Sequence, residues 1–258
     1  MQNSYGKRRG QEAVNTGIRP IAPTYGRASF LSYSHRSGYT HATESANERL
    51  VSQMLDIDPS FKSHQAQPFT VDVLEQRLIH ARAERNKLSA TRKKDLGDEA
   101  RNTLYTPDFL ATRSGAPLLV LEVKLEGWEG NEEYANKLAV ARRVLAANGY
   151  EFQKMTVPSL WSHPLRHNVP LLHMSKASSP IVLSEEQLML LEQEGAASGI
   201  TQAAVCHLLQ LLPAHIPALV VQGVLSMDIS NTRFHNDTVL TLAYGDLQHL
   251  QFLGGMPC

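Results

Sequence analysis

Cysteine is nearly absent from this chain. Cys206 lies within an apolar helical pattern and Cys258 is the last residue, so the sequence holds neither a disulfide framework nor a cysteine spacing that binds zinc. Such scarcity suits a reducing compartment. Long apolar runs are missing too: nothing approaches the roughly 20 residues that cross a bilayer, and the first residues are polar and basic, unlike a signal peptide. A protein that stays in the cytoplasm and makes no membrane contact is expected. Net charge is zero, with 25 Lys and Arg against 25 Asp and Glu. That excludes a uniformly polybasic or polyacidic chain and leaves the distribution of charge to carry the information. No internal repeat or low-complexity tract occurs. His163 and His167 have the i, i+4 spacing of a helical metal pair, but Pro164 stands between them, so both read as loop residues. Apolar residues are plentiful, 42% of 258, enough for one large core or two modest ones. Two domains are expected.

Charge is segregated along the chain. Lys7, Arg8, Arg9, Arg19, Arg27 and Arg36 face Glu12 alone, the composition of a segment that lies on a phosphate backbone, with residues 1–26 as its flexible part. A mixed but basic-leaning stretch runs from Arg77 through Arg82, Arg85, Lys87, Arg92, Lys93 and Lys94 to Arg101. It reads as a solvated helix and loop inserted between two strands, with a supplementary DNA contact as its functional alternative. From Ile181 onward the sign reverses: seven acidic residues stand against Arg233. Three helical patterns there (184–194, 201–212, 215–222) precede two alternating runs (224–229, 238–243), the order of a winged helix. Without cations this domain (181–258) suits a protein partner with a basic face better than DNA.

The most specific pattern lies between these regions. Leu104-Tyr-Thr-Pro-Asp-Phe-Leu110 is followed by Leu119-Val-Leu-Glu-Val-Lys-Leu125. In a strand, side chains alternate, so Leu119, Leu121 and Val123 would enter a core while Val120, Glu122 and Lys124 share the opposite, solvent-facing side. Asp108 converges with them if the two runs pair as a hairpin around Gly115 and Pro117. Phosphodiester hydrolysis needs charge neutralisation at the phosphate and a nucleophilic water, and a carboxylate-bound divalent ion supplies both. Asp108 and Glu122 are oxygen ligands of the kind magnesium takes, and Lys124 would orient the nucleophile or steady developing negative charge. An amphipathic strand with a charged outer face is the alternative.

A third carboxylate, Glu48, sits at the margin of the buried side (Leu50, Val51, Met54, Leu55) of a helix starting near Thr43. Two readings stand: an inward-turned ligand, or the glutamate of a Ser45-x-x-Glu48 capping box. Around these residues the expected catalytic domain (27–162) has a hairpin turning at Ser37-Gly38, strands at 65–73, 105–112, 118–125 and 150–156, and a helix over 131–148. That helix carries Lys137, Arg142 and Arg143 as possible phosphate contacts. Residues 163–180, rich in Pro, His and Ser, read as a linker.

Taken in order, Tyr33-Ser-His-Arg-Ser-Gly-Tyr-Thr-His41, Ser45-x-x-Glu48, Gln67-Pro-Phe69, Thr106-Pro-Asp-Phe109 and Glu122-Val-Lys124 resemble the TnsA family, the endonuclease subunits of heteromeric cut-and-paste transposases. The resemblance spans about residues 28 to 160 and extends more weakly over the C-terminal third. It implies an α/β fold with a restriction-endonuclease-like core, a mixed sheet and a PD-(D/E)xK site. Glu48, Asp108, Glu122 and Lys124 would be catalytic, the three acids holding Mg2+, with Mn2+ as substitute. It further implies cleavage of the 5′ ends of a transposon, on double-stranded DNA contacted by Arg36, His41, Lys137 and Arg142. A TnsB-like DDE transposase would process the 3′ ends under a TnsC-like AAA+ ATPase bound by the C-terminal domain, in the bacterial cytoplasm at the nucleoid. Two other functions stay open: a stand-alone restriction-type or junction-resolving nuclease, which should carry its own base-reading element, and a non-catalytic adaptor of a transposition complex.

Overall fold

The computed structural model describes residues 14–15, 17–19, 29–195 and 198–253. Lys7, Arg8, Arg9, Glu12, Arg27 and Cys258 lie outside the described residues, as does most of the expected basic segment 1–26. The chain is mixed α/β. Strand β1 (Val14–Asn15) pairs in parallel with β3 (Tyr39–Thr43), which forms a hairpin with β2 (Phe30–Ser34) around the turn expected at Ser37-Gly38. Helix α1 (Ala46–Ile57) follows, then β4 (Phe61–Ala66), β5 (Thr70–Asp72) and β6 (Arg77–Ile79). Helix α2 (Arg82–Leu96) and a 3-10 turn (Gly97–Asn102) form the basic insertion, and β7 (Leu104–Tyr105), β8 (Phe109–Arg113) and β9 (Leu119–Leu125) carry the acidic motif. Helix α3 (Glu132–Ala147) crosses over to β10 (Glu151–Val157), as parallel neighbours require.

The central sheet has the order β10-β9-β8-β4 and is mixed: β9 and β10 are parallel, the other pairs antiparallel. Leu119, Leu121 and Val123 of β9 pack with Leu50, Val51, Met54 and Leu55 of α1, as the alternation predicts. The other side is not solvent-facing, however. Val120 joins Phe69, Ala141, Val144 and Leu145 in a second cluster under α3, and Glu122 is only 4% exposed. The strand is covered on both faces, which explains its nearly unbroken apolar run.

Two expected strands are each broken in two. The 65–73 run bends at Gln67, whose φ is 45°, and Pro68, so β4 belongs to the central sheet and β5 to a second sheet of order β6-β5-β7. The 105–112 run is interrupted at Thr106-Pro107-Asp108: β7 pairs with β5, while β8 pairs with β4 and β9. Over the second sheet, Arg92 is the only buried residue of α2, paired with buried Asp72 at 2.7 Å. That anchor turns Arg85, Ser89 and Lys93, spaced by four, along one face of α2.

The expected linker is a helix, α4 (Pro164–Lys176). Pro164 occupies its first turn, where the missing N–H has no partner to lose, and His163 caps it by accepting from the Leu165 N–H at 3.2 Å. The proline-rich composition therefore marks a helix start, and His167 lies in an exposed helical position instead of a loop. Leu165, Val169 and Leu172 share one buried side. Beyond it come α5 (Glu185–Gly195), β11 (Ile200–Thr201), α6 (Gln202–Leu209), α7 (Ile216–Val221), β12 (Leu225–Ser226) and β13 (Val239–Leu242). The strands form an antiparallel sheet of order β11-β13-β12; β11 was not anticipated. Gly199 permits it, since at φ +78° a Cβ there would lie 2.7 Å from the Leu240 carbonyl oxygen. Among the described residues no single helix is long and apolar enough to cross a membrane.

One apolar cluster runs from α1 and the central sheet through α4 into α5–α7 and β13. Polar bonds cross the same junction: the Phe252 N–H donates to Asp58 Oδ2 at 2.9 Å, and buried Asn168 of α4 donates to the carbonyls of Ile229 (2.8 Å) and Thr232 (2.7 Å). Asn168→Ala strands both carbonyls without their donor and is expected to destabilise the protein by about 2 kcal/mol. A urea midpoint equal to wild type would show that these bonds do not hold the junction.

Candidate active site

The break at Thr106-Pro107-Asp108 places Asp108 against β9. Its N–H donates to the Leu121 carbonyl (3.1 Å), its carbonyl accepts from the Gln67 N–H (2.9 Å), and its Oδ2 accepts from the Val123 N–H (2.7 Å). Glu122 follows on β9. Tyr105 donates to its Oε2 (2.7 Å), Tyr134 of α3 donates to its Oε1 (2.9 Å), and Lys124 Nζ stands 2.6 Å from Oε1. The Lys124 ammonium also lies over the rings of Trp128 (4.7 Å) and Tyr134 (5.1 Å), which meet edge to face. Such aromatic faces attract a cation and restrict its position.

Glu48 fulfils both readings of its sequence. Ser45 Oγ accepts from the Glu48 N–H (3.1 Å), while the Glu48 carboxylate accepts from Ser45 Oγ (2.8 Å) and from the Glu44 N–H (2.9 Å). A helix cap is formed, reaching one residue further back than the usual box. The same carboxylate lines a cavity of about 640 Å³ together with Asp108, Glu122 and Lys124. Cations outnumber acids in the rest of the lining: Arg19, Arg85, Lys93, Arg101 and Lys137 against Glu44 and Asp98. Arg19 is paired with Glu44 at 2.9 Å.

The electrostatics are those of crowded acids. Burial, then the charges of Glu122 and Glu48, push the Asp108 carboxyl well above the usual range. Burial also raises Glu48, against the opposing hydrogen bonds from Glu44 and Ser45. The phenol of Tyr105 is raised by burial and by Glu122 beside it, so it stays a donor to that carboxylate. Burial lowers the Lys137 ammonium. The oxygens of Glu48, Asp108 and Glu122 do not all come within 4.8 Å of one another. The donor set is all oxygen, which suits a hydrated hard cation held by one or two carboxylates, as magnesium is. Both Glu122 oxygens already accept hydrogen bonds, but a carboxylate offers about four lone-pair sites.

Of the residues expected to touch DNA, Lys137 lines the cavity. Arg142 stacks on Phe152 at 5.2 Å, outside the cavity. Arg36 lies elsewhere, and His41 is a correction. The Arg36 backbone N–H and Nε donate to Asp56 Oδ1 (2.9 Å) and to the Asp56 carbonyl (2.7 Å), away from the acidic cavity. His41 is 0% exposed and stacked on His64 at 4.4 Å, so it presents no surface to a ligand. Tyr105 and Tyr134 were missed. Tyr105 carried a signal, adjoining the Thr-Pro-Asp run; Tyr134 carried none, because its role depends on how α3 docks. Comparison with protein-family models and with curated proteins gives no match to this chain.

Carboxyls raised by folding contribute stability that is complete below their unfolded values of about 3.9 and 4.3 and is lost as pH climbs through the raised folded values. In chelator, Asp108→Asn is therefore expected to melt higher than wild type at pH 7–8. The gap should widen steadily from about pH 4 upward; a gap that is negative or independent of pH would contradict the crowded-acid arrangement.

Proposed function

We propose that this protein is a magnesium-dependent DNA endonuclease that cleaves the 5′ ends of a transposon, working with a TnsB-like DDE transposase and a TnsC-like AAA+ ATPase. The observation that carries the reading is the meeting of Glu48, Asp108, Glu122 and Lys124 in one cavity where cations outnumber acids in the rest of the lining. Three acids come together from a helix, a strand break and a strand interior, and burial with the charges of Glu122 and Glu48 raises the proton affinity of Asp108, which a divalent cation would relieve. Asp108, Glu122 and Glu48 would hold the ion. Bound magnesium, or manganese in its place, supplies charge neutralisation at the scissile phosphate and a more acidic water.

The chain's own groups do the rest. Tyr105 and Tyr134 fix Glu122 from both oxygens. Lys124, braced by Trp128 and Tyr134, presents its ammonium beside Glu122, where it can donate to the attacking water or a phosphate oxygen. Arg85 and Lys93 on one face of α2, with Arg101 and Lys137, would track the phosphate backbone.

The hairpin β8–β9 carrying the acids, the parallel β10 and the helix α1 bearing Glu48 support a restriction-endonuclease-like PD-(D/E)xK core over residues 27–162. The order α5-β11-α6-α7-β12-β13 with its three-stranded antiparallel sheet supports a winged-helix unit over 181–258. Its acidic, arginine-poor composition favours a protein partner such as the ATPase over DNA. The motif order supports the assignment to transposon ends in a bacterial cytoplasm.

Cleavage of the 5′ strand of transposon-end DNA should require Mg2+ and, for full rate, the transposase and ATPase. Asp108→Ala and Lys124→Ala are expected to reduce it by ~100-fold or more, the scale of losing a charge-stabilising group. Glu48→Gln should lose nicking while costing at most about 1 kcal/mol of stability, whereas a role in capping alone predicts that loss with nicking intact. Full cleavage by purified Asp108→Ala would end the assignment. Separately, Arg85→Ala combined with Lys93→Ala should weaken DNA binding alike across sequences and reduce the log–log salt slope by up to about 1.8, at 0.9 per phosphate contact. An unchanged slope would remove α2 from the DNA path.

A further inference from the structure

At the far end of α1 from Glu48, a different set of ligands meets. His35 in the β2–β3 turn, Asp56 near the end of α1 and His173 of α4 each bring one ring nitrogen or carboxylate oxygen to within 4.8 Å of the others. We infer that these three residues form a binding site for a first-row transition ion, zinc by preference, separate from the acidic cavity and independent of the nuclease reading. Two imidazoles and one carboxylate are a donor set that zinc accepts and magnesium does not favour.

The carboxylate is prepared for the task. Asp56 is 0% exposed, and its Oδ1 is fixed by Ser34 Oγ (2.7 Å) and the Arg36 N–H (2.9 Å). Its Oδ2 is buried and faces His173 Nε2 at 3.3 Å. Around a tetrahedral ion with bonds of about 2.0–2.1 Å, ligand atoms stand about 3.3 Å apart. The Asp56–His173 edge already has that spacing, and no pair among the three needs to close by more than about 1.5 Å. The nearby cations do not occupy the carboxylate: Arg36 Nε and Lys176 Nζ both donate to the Asp56 backbone carbonyl. His173 Nε2 also lies 3.0 Å from the Tyr33 carbonyl, a further oxygen at the same place. A simple Asp–His ion pair would use one imidazole. The His35 ring, edge-on to Tyr33 at 5.0 Å and 5.6 Å centroid to centroid from His173, brings a second imidazole nitrogen to the same place.

Such an ion would tie the β2–β3 turn, the end of α1 and α4 together, at the junction between the two ends of the apolar cluster. The test uses the full chain, stripped with chelator and titrated with Zn2+ alone. Uptake of about one ion per chain is expected, with melting raised by about 5 °C or more once zinc exceeds its dissociation constant about 100-fold, and a visible absorption band when Co2+ replaces zinc. His35→Ala and His173→Ala should each weaken uptake at least about tenfold, while Asp108→Asn with Glu122→Gln should leave it unchanged. His35→Ala, a turn substitution checked by circular dichroism, decides the matter if His173→Ala fails to fold. No zinc uptake by wild type, uptake undiminished by the folded histidine variant, or uptake lost with the Asp108 and Glu122 pair would overturn the assignment.

Discussion

Because β9 lies between two strands and under two apolar layers, every residue on it down to Glu122 is withdrawn from water, and the glutamate has to be held by groups the fold itself provides. An ionised carboxylate enclosed without partners would be destabilised by several kcal/mol. Tyr105 from the neighbouring sheet, Tyr134 from the crossover helix and Lys124 from the next position on the same face supply those partners. The site is thus built by two other elements, β7 and α3, closing on one strand that supplies both Glu122 and Lys124. Lys124 is only two residues from Glu122, yet it is where the strand begins to emerge, so it is the point at which the interior charge network reaches the cavity.

Asp108 is positioned by its backbone more than by its side chain. The chain leaves one sheet after Tyr105 and joins another at Phe109, and Pro107 removes a donor that either ladder would otherwise use. Both main-chain groups of Asp108 are bonded across the break, to Leu121 and Gln67. Its carboxylate is then delivered towards Glu122 and Glu48 at an energetic disadvantage that only a proton or a cation relieves. Strain of this kind, held in place by a fold that gains nothing from it, is characteristic of functional sites.

How much of this could be read from the sequence follows from the range of the forces involved. The β8–β9 hairpin, the Ser45 cap and the basic insertion depend on alternation, turn residues and neighbours along the chain, and all three were legible. The enclosure of Glu122 was not, because an amphipathic strand and a doubly covered strand differ only in whether Val120 meets water or α3. Proline misled at α4 for a local reason: the same residue that interrupts a helix also starts one, and only packing against α1 and α7 distinguishes the two. The resemblance implies a DNA contact for His41, yet its place at an inward position of β3 puts it against His64. Glu48 was ambiguous in the sequence and is double in the structure, since the carboxylate that caps α1 also faces the cavity.

Helix α1 connects these observations. Its first turn carries Glu48 into the acidic cavity, and eight residues further, about 12 Å along the axis, Asp56 meets the turn after β2 and the helix α4. Between those ends its buried side contributes Leu50, Val51, Met54 and Leu55 to the shared apolar cluster. A shift of α4, which packs on α1, would act on a helix whose other end carries one of the three acids. Packed interiors move such rods as units because they cannot deform continuously. For the proposed nuclease, α4 packed on α1 is a physical link between the C-terminal region and one of the cavity's carboxylates.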